Sequence, residues 1–197
     1  MVLGPCSIAS LVHFGAQDSI VLKSWKLTHF EGGVHVPFFA KWPSMIDKNQ
    51  VFSKRIHHTD IFSTILGAAN IKQPKNKHID GKNLIPYIVD KKEGEPHDTL
   101  YWKNSTYQAI IHNDWKLMRS KYPFKQEFLY NLSNDPYELI NLASNEFEIK
   151  QLLNNMLDKH VESMPKVKWP QSVYMPITTD KPITDYEDGD ELIYWPN

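Results

Sequence analysis

The chain has 197 residues, of which 41% are hydrophobic and 23% are charged, and its formal net charge at pH 7 is −1. These values are ordinary for a globular protein, and the near-neutral charge gives no reason to expect a nucleic-acid partner or a membrane surface. No apolar run approaches the ~20 residues that a membrane-spanning helix needs. The single cysteine, Cys6, excludes a disulfide within the chain.

The first half of the chain predicts a short strand and a helix separated by polar loops. Residues Phe38 to Pro43 (FFAKWP) form an apolar run closed by proline, which is typical of a buried strand. Residues His57 to Asn70 predict a helix that Thr59 or Asp60 can cap. Five apolar residues recur there at helical spacing: Ile61, Phe62, Ile65, Leu66 and Ala69. Residues Leu84 to Asp90 (LIPYIVD) predict a further short helix or strand.

From Thr99 the pattern predicts strands. The runs TLYW, YQAII, WKLMR and EFLYNL are short and rich in aromatic and branched residues, and residues His112 to Asp114 have the composition of a hairpin turn. Residues Glu146 to Met164 then carry one apolar stripe at helical spacing. Successive strands followed by a helix indicate an α+β second half. The proline-rich, acidic stretch after Pro165 predicts an extended tail.

A candidate anion site lies in the stretch KLTHFEGGVHVP, which begins at Lys26. A lysine shortly before a Gly-Gly turn can hold an oxyanion as a point charge, and the glycines allow a close approach of the backbone. A solvated surface lysine is the alternative, and the spacing alone favours it.

The remaining polar residues give no complete site by spacing. His57 and His58 are adjacent but cannot both point one way in an extended chain, and neither H-E-x-x-H nor C-x-x-C is present. No G-x-S-x-G elbow occurs, and Cys6 lies in an apolar stretch, where a lone thiol is usually just buried. The acidic residues between Asp185 and Glu191 lack the register of a calcium loop.

Five segments, in chain order, resemble motifs of the sulfatase family. WKLTHFEGGVHVPFFAKWP is similar to the pattern K-x-x-x-x-E-G-G-x-R-V-P, HHTDIFSTILGAANI to H-x-D-[IL]-[FY]-P-T-[IL], and HIDGKNLIPYI to D-G-x-[NS]-L-x-P-x-[IL]. HNDWKLMR and EFLYNLSNDPYELINLA resemble the W-K-L strand of the C-terminal subdomain and the segment L-Y-[DN]-L-x-x-D-P-x-E-x-x-N-L. Five such matches in order are far more specific than any one of them.

The resemblance implies an α/β remnant of the alkaline-phosphatase-like fold, followed by an α+β C-terminal subdomain with a small antiparallel sheet and a packed helix. We expect four segments. An unmatched or truncated start covers residues 1–22, and the C-terminal part of the catalytic domain covers 23–95. The sheet-and-helix subdomain covers 96–165, and an extended tail covers 166–197.

The resemblance also implies a chemistry, the hydrolysis of sulfuric esters. Family members use a formylglycine nucleophile, made from Cys or Ser in a C-x-P-x-R motif, and a calcium ion that polarises the sulfate. Lys26 matches the family lysine that binds sulfate, and it is the one substrate-binding residue that the resemblance assigns to this chain. Glu31, Gly32 and Gly33 match the turn behind that lysine, for which a structural role is expected.

The chain also departs from the family pattern. His35 stands where arginine is usual, which makes any charge there pH-dependent, and Ser63 replaces a proline. His58 matches a family histidine for which we expect a structural role. Neither C-x-P-x-R nor S-x-P-x-R occurs, and no D-N-G precedes Lys26. We therefore expect no catalytic residue and no metal ligand of the family in this chain, and a C-terminal fragment that is inactive alone.

Two alternatives to a sulfatase remain open. One is a phosphoester or phosphonate hydrolase of the same superfamily, and the other is a non-catalytic binding domain. The partners that the sulfatase reading implies are a sulfated small molecule or glycan and the missing N-terminal half of the domain, with calcium ligands outside this chain. It also implies a periplasmic or extracellular location, although the chain shows no signal peptide, and neither nucleic acid nor membrane is expected as a partner.

Overall fold

The computed structural model describes residues 22–24, 28–104, 107–120 and 125–165 in full, together with the backbone of three short strands near the termini. The chain divides into two units, Met1–Asp158 and Lys159–Asn197. The elements that bear on function lie in the first unit. Lys26, Cys6 and the acidic residues near the C-terminus lie outside the described residues.

The described residues of the first part form a small mixed sheet and three helices. Strand β1 (Val2–Leu3) lies between β2 (Phe38–Phe39), which is antiparallel to it, and β3 (Val51–Phe52), which is parallel to it. Helix α1 is the single turn Glu31–Val34 between β1 and β2. The prediction of a buried strand over Phe38–Pro43 is wrong in extent and burial, because β2 has two residues and Phe39 is 63% exposed.

The predicted helix over 57–70 is confirmed as α2 (Asp60–Ala68), and it is followed by α3 (Ile85–Ile88). Asn70 adopts a φ of 54°, the left-handed conformation that commonly ends a helix. The predicted apolar stripe is not the buried face: its exposed members include Ile61, Phe62 and Ile65, and the two buried residues of α2 are polar. A small core forms around α3 from Phe52, Leu84 and Ile88.

The second part is the predicted antiparallel meander and helix. Strands β4 (Thr99–Lys103), β5 (Tyr107–His112), β6 (Trp115–Ser120) and β7 (Gln126–Asn131) pair in chain order. Asn113, with a φ of 51°, forms the turn between β5 and β6, as its composition predicted. The central core residues are all fully buried: Ala109, Ile110, Leu117, Met118, Leu129 and Tyr130.

Helix α4 (Phe147–Ser163) is fastened to this sheet by polar side chains as well as by buried Leu153 and Leu157. Arg119 on β6 donates to the Asn154 side-chain oxygen at 3.1 Å and to the Asp158 carboxylate at 2.6 Å. In the tail, β8 (Ile177–Thr179) pairs antiparallel with β9 (Tyr194–Pro196). Of the helices among the described residues, none has the length and apolarity to cross a membrane.

Candidate functional site

A close backbone contact brings together Lys23 and Gly32, which stand on either side of Lys26 in the sequence. The Gly32 amide donates to the Lys23 carbonyl oxygen at 2.9 Å. A Cβ atom on Gly32 would lie 2.1 Å from the Ser24 carbonyl oxygen and 2.6 Å from that of Lys23. The first glycine of E-G-G is therefore required, because any side chain there would collide with the neighbouring backbone carbonyl groups.

Glu31, next to Gly32, belongs to a buried ionic cluster with Lys116 and Glu138. The Lys116 ammonium is fully buried on β6, 2.7 Å from Glu31 Oε1 and 2.8 Å from Glu138 Oε1. The Glu31 backbone N–H donates to Glu138 Oε2 at 2.7 Å. Three sequence motifs that are far apart in the chain, E-G-G, W-K-L and D-P-x-E, thus meet at a single lysine.

The two carboxylates differ in their electrostatic surroundings. Burial acts to raise the pKa of Glu31, but the charge of Lys116 and the hydrogen bonds from His35 and Lys116 outweigh it and lower that pKa to about 2. For Glu138, burial is the largest influence and its pKa is raised, although Lys116 offsets part of the effect. Of the two carboxylates, Glu31 has the lower pKa and therefore keeps its negative charge beside Lys116 to a lower pH than Glu138 does.

Lys23 also contacts the turn that bears Glu138. Its ammonium donates to the Glu138 carbonyl oxygen at 3.0 Å and to the Tyr130 hydroxyl at 3.3 Å. It also lies 5.2 Å from the ring centre of Phe30 and 5.4 Å from that of Tyr130, within cation–π range. Burial lowers the pKa of Lys23, and the charges of Glu138 and Asp135 work against that shift.

The D-P-x-E turn is rigidly built, and its residues have separable roles. The Asp135 carboxylate accepts from the amides of Leu139 at 3.0 Å and Ile140 at 2.9 Å. Glu138 itself has a φ of 58°, a left-handed conformation that costs a non-glycine residue energy. Asn141 accepts from the Leu129 amide at 3.0 Å and so fastens the turn to β7. The turn holds the Glu138 side chain against the Glu31 amide and the Lys116 ammonium.

A second polar cluster joins the H-x-D helix to the D-G-x-N loop. Asp60 is fully buried and accepts from the amides of His57 and Lys82 at 2.7 Å each, and its carboxylate is 2.8 Å from His97 Nε2. Burial acts to raise the pKa of Asp60, but these hydrogen bonds outweigh it and lower that pKa. Such a carboxylate with three partners is a structural junction.

Ser63 and Gly81 complete this junction. The Ser63 hydroxyl donates to the Gly81 carbonyl oxygen at 2.8 Å, which gives a role to the residue that replaces the family proline. A Cβ atom on Gly81 would lie 2.0 Å from the Thr59 carbonyl oxygen, so the glycine of D-G is required by close approach. The polar faces of α2 and of this loop therefore face each other, which is why the apolar stripe of α2 points outward.

An open, mostly apolar groove of about 940 Å³ lies beside both clusters. Glu31, His35, His57, His58 and Trp102 contribute to its lining. The rings of His57 and His58 are 4.1 Å apart, and burial together with the neighbouring His58 lowers the pKa of His57 to about 4. Among the described residues, no group of three or more His, Cys, Asp or Glu side chains could hold a metal ion.

The residues singled out from the sequence thus have different outcomes. Glu31 and Gly32 have the structural role expected of them, and His35 contacts the Glu31 carboxylate at 3.2 Å. His58 is exposed at the groove, whereas the buried hydrogen-bonding role belongs to Asp60.

Sequence reasoning missed Lys116, Glu138 and His97 as site residues. The first two stand inside family motifs, and Lys116 occupies a strand where a charged residue normally faces water. His97 lies in a polar stretch before β4, and no sequence pattern indicates that it is a site residue.

Comparison with known proteins agrees with these motifs. The family described as N-sulphoglucosamine sulphohydrolase, C-terminal, matches residues 24–166 of the chain. The uncharacterized sulfatase YdeN of Escherichia coli (strain K12) is 30% identical over 139 residues, which are 62% of this chain and 25% of YdeN. The chain thus spans about a quarter of the length of that relative.

Solved structures show the same fold. Ps i-CgsB, in complex with k-i-k-neocarrahexaose, has a TM-score of 0.65 at 23% identity, covering 77% of this chain and 34% of its own. BT4656, in complex with its substrate D-Glucosamine-2-N, 6-O-disulfate, has a TM-score of 0.51 at 20% identity, covering 68% and 30%. On the family match over residues 24–166, this chain belongs to the sulfatase family and corresponds to its C-terminal portion.

Proposed function

We propose that the chain is the C-terminal portion of a sulfuric ester hydrolase and that Lys26 binds the sulfate group of the substrate. The observation that carries the proposal is the convergence of three family motifs on Lys116. If the chain matched the family only in isolated short segments, these segments would have no reason to meet in the fold. In the sequence, Lys26 stands three residues after Lys23 and five before Glu31, and both of these residues contact Glu138.

The role proposed for Lys26 is electrostatic. An ammonium placed against a sulfate oxygen stabilises the negative charge of the bound group and fixes its orientation. The part of the chain that the structure describes contains no cluster of side chains that could bind a calcium ion. We propose that the nucleophile and the calcium ligands belong to the N-terminal portion of the domain, outside this chain.

The exposed surface of the first part supports such a missing portion. Ile61, Phe62 and Ile65 on α2 are between 43% and 61% exposed, and Phe39 and Val51 on the small sheet are 63% and 68% exposed. Clusters of exposed large apolar groups mark a contact surface or an aggregation hazard. We propose that these exposed residues pack on the rest of an alkaline-phosphatase-like domain, of which residues 23–95 are the C-terminal part.

We propose a sulfated carbohydrate as the substrate class, with an aryl sulfate as a simple surrogate. The support is the structural likeness to BT4656, whose substrate is a sulfated sugar. A periplasmic or extracellular location is proposed with it, on the family resemblance.

The test is release of sulfate from 4-nitrophenyl sulfate. We expect no release by the 197-residue chain alone. Release is expected when the chain is produced with the N-terminal portion translated from the DNA upstream of Met1. Lys26→Ala should abolish that release, whereas Lys159→Ala, an exposed lysine on α4, should leave it unchanged. Hydrolysis by the chain alone that survives Lys26→Ala would contradict the proposal.

A further inference from the structure

The groove of about 940 Å³ is walled by both parts of the fold. Strand β3 and helices α2 and α3 of the first part contribute Phe52, Ile65 and Ile88. Strands β4 and β5 of the antiparallel sheet contribute Leu100 and Ile111. Whatever fills the groove therefore contacts both parts of the fold at once.

The apolar surface extends beyond the groove. Val36 and Ile65 line the groove and are 68% and 61% exposed. Phe62, one helical turn from Ile65 on α2, is 51% exposed and lies outside the lining. A pocket for a small molecule encloses most of its ligand, whereas this surface continues onto the open side of a helix. Apolar surface of this kind is typical of a contact between proteins or domains.

The charges at the groove favour an acidic partner surface. The described lining carries three basic residues, Lys41, Lys54 and Arg55. Glu31 is the one acidic residue among the described lining residues, and its carboxylate already faces the Lys116 ammonium. Arg55 has a carboxylate partner, but the Lys54 ammonium donates to two backbone carbonyl groups, which leave its charge in place. An apolar segment with carboxylates at its edges would complement this groove.

The ring of His57, which also lines the groove, indicates a missing polar contact. Its Nδ1 atom is 3.0 Å from the Thr59 hydroxyl oxygen, and the ring packs edge-on against Trp102 with ring centres 5.5 Å apart. Within the described part of the chain, its Nε2 atom is buried without a hydrogen-bond partner. Such an atom costs free energy and calls for an explanation. A polar group of the occupant would supply the hydrogen bond once the exposed ring of His58, centred 4.1 Å away, turns aside.

We propose that an apolar segment of the N-terminal portion, with carboxylates at its edges, packs into this groove and joins the two parts of the fold. The length of chain outside this structure supports that occupant, since the chain covers 25% of YdeN and 34% of Ps i-CgsB. The inference rests on the proposed function, because that function requires an N-terminal portion. It goes further by assigning the place where that portion packs and by including the antiparallel sheet in the contact.

The experiment measures the carbethoxylation of His58 by diethyl pyrocarbonate, read by mass spectrometry. The 197-residue chain is compared with the longer protein, made with the N-terminal portion translated from the DNA upstream of Met1. His78, whose side chain is 89% exposed outside the groove lining, is the internal standard. Ile65→Glu changes the groove, and Ile71→Glu is the matched control, because Ile71 is 58% exposed and lies outside the lining.

We expect His58 to react at least about tenfold more slowly in the longer protein than in the chain alone, because a docked segment leaves the groove open for about a tenth of the time or less. In the longer protein, Ile65→Glu should restore the rate of the chain alone, because it puts a charge into the apolar contact. Ile71→Glu should keep the protection. Equal reaction of His58 in the two proteins would overturn the inference, as would a stop codon directly upstream of Met1.

Other occupants of the groove give other results. Protection of His58 in the chain alone that grows with protein concentration would assign the groove to a second copy of this chain. Protection in the chain alone at every concentration would assign the groove to another segment of the same chain. Either result would overturn the inference.

A failure of the proposed function is distinguishable, because release of sulfate from 4-nitrophenyl sulfate is measured in the same samples. Protection of His58 in the longer protein without release of sulfate would refute the proposed function and support the inference. Release of sulfate by a longer protein in which His58 reacts as in the chain alone would support the proposed function and overturn the inference.

Discussion

Acid should destabilise the fold through the buried ring of His29. This residue is 7% exposed and packs edge-on against Tyr107 with ring centres 5.8 Å apart. Burial, assisted by the charge of Lys116, lowers the pKa of His29 from 6.5 to about 4. Within the part of the chain that the structure describes, its Nδ1 atom is buried without a hydrogen-bond partner.

The sign and size of the effect follow from this pKa. As the pH falls from 6.5 to about 4, the unfolded chain protonates the ring while the folded chain keeps it neutral. The free energy of unfolding therefore decreases with falling pH, by ~1.4 kcal/mol per pH unit for one fully shifted group. Between about pH 6.5 and about pH 5, His29 should account for a loss of ~2 kcal/mol.

The variant His29→Phe keeps a ring against Tyr107 and removes the proton site. Urea unfolding is measured near pH 7, 6 and 5, and the variant should lose ~2 kcal/mol less than the wild type across this range. His78→Gln, which removes an exposed histidine, is the control for the loss of a histidine side chain. Equal pH dependence of the wild type and His29→Phe would refute the reasoning.

Three other changes test the junctions of the fold. Lys116→Met leaves buried carboxylates without their cation and should cost ~3–5 kcal/mol in urea unfolding at neutral pH, whereas Lys150→Met should cost less than ~1 kcal/mol; similar losses in both would contradict the cluster. Asp60→Ala leaves two backbone amides and a histidine without an acceptor and should cost ~3 kcal/mol, so a thermal midpoint equal to that of the wild type would speak against the junction. Gly32→Ala forces the backbone away from Ser24, and a loss of ~1–3 kcal/mol is expected by the same unfolding assay, with no change as the contrary result.

The sequence predicts the second part of the fold well because its signals are local. The four strands carry aromatic and branched residues, and Asn113 suits the left-handed turn between β5 and β6. The stripe on α4 buries Leu153 and Leu157 as its period indicates. These features depend on residues that are close in the chain.

The first part is predicted less well because its contacts are distant. The apolar stripe of α2 correctly predicts a helix, but it does not show that Asp60 and Ser63 are the buried side chains. Lys116 gives no local sign of burial, since its partner Glu31 lies 85 residues away. Only the family motifs single out these positions, and the motifs do not show which residues contact one another in the fold.

A double-mutant cycle on Glu31 and Lys116 tests most directly whether the distant motifs are energetically joined. Glu31→Gln, Lys116→Met and the double variant are compared with the wild type by urea unfolding at neutral pH. The ion pair at 2.7 Å predicts a coupling energy of ~2 kcal/mol. The double variant should therefore lose less unfolding free energy than the sum of the losses in the two single variants. Losses that add to within ~0.5 kcal/mol would show that the cluster does not energetically join the E-G-G motif to the sheet.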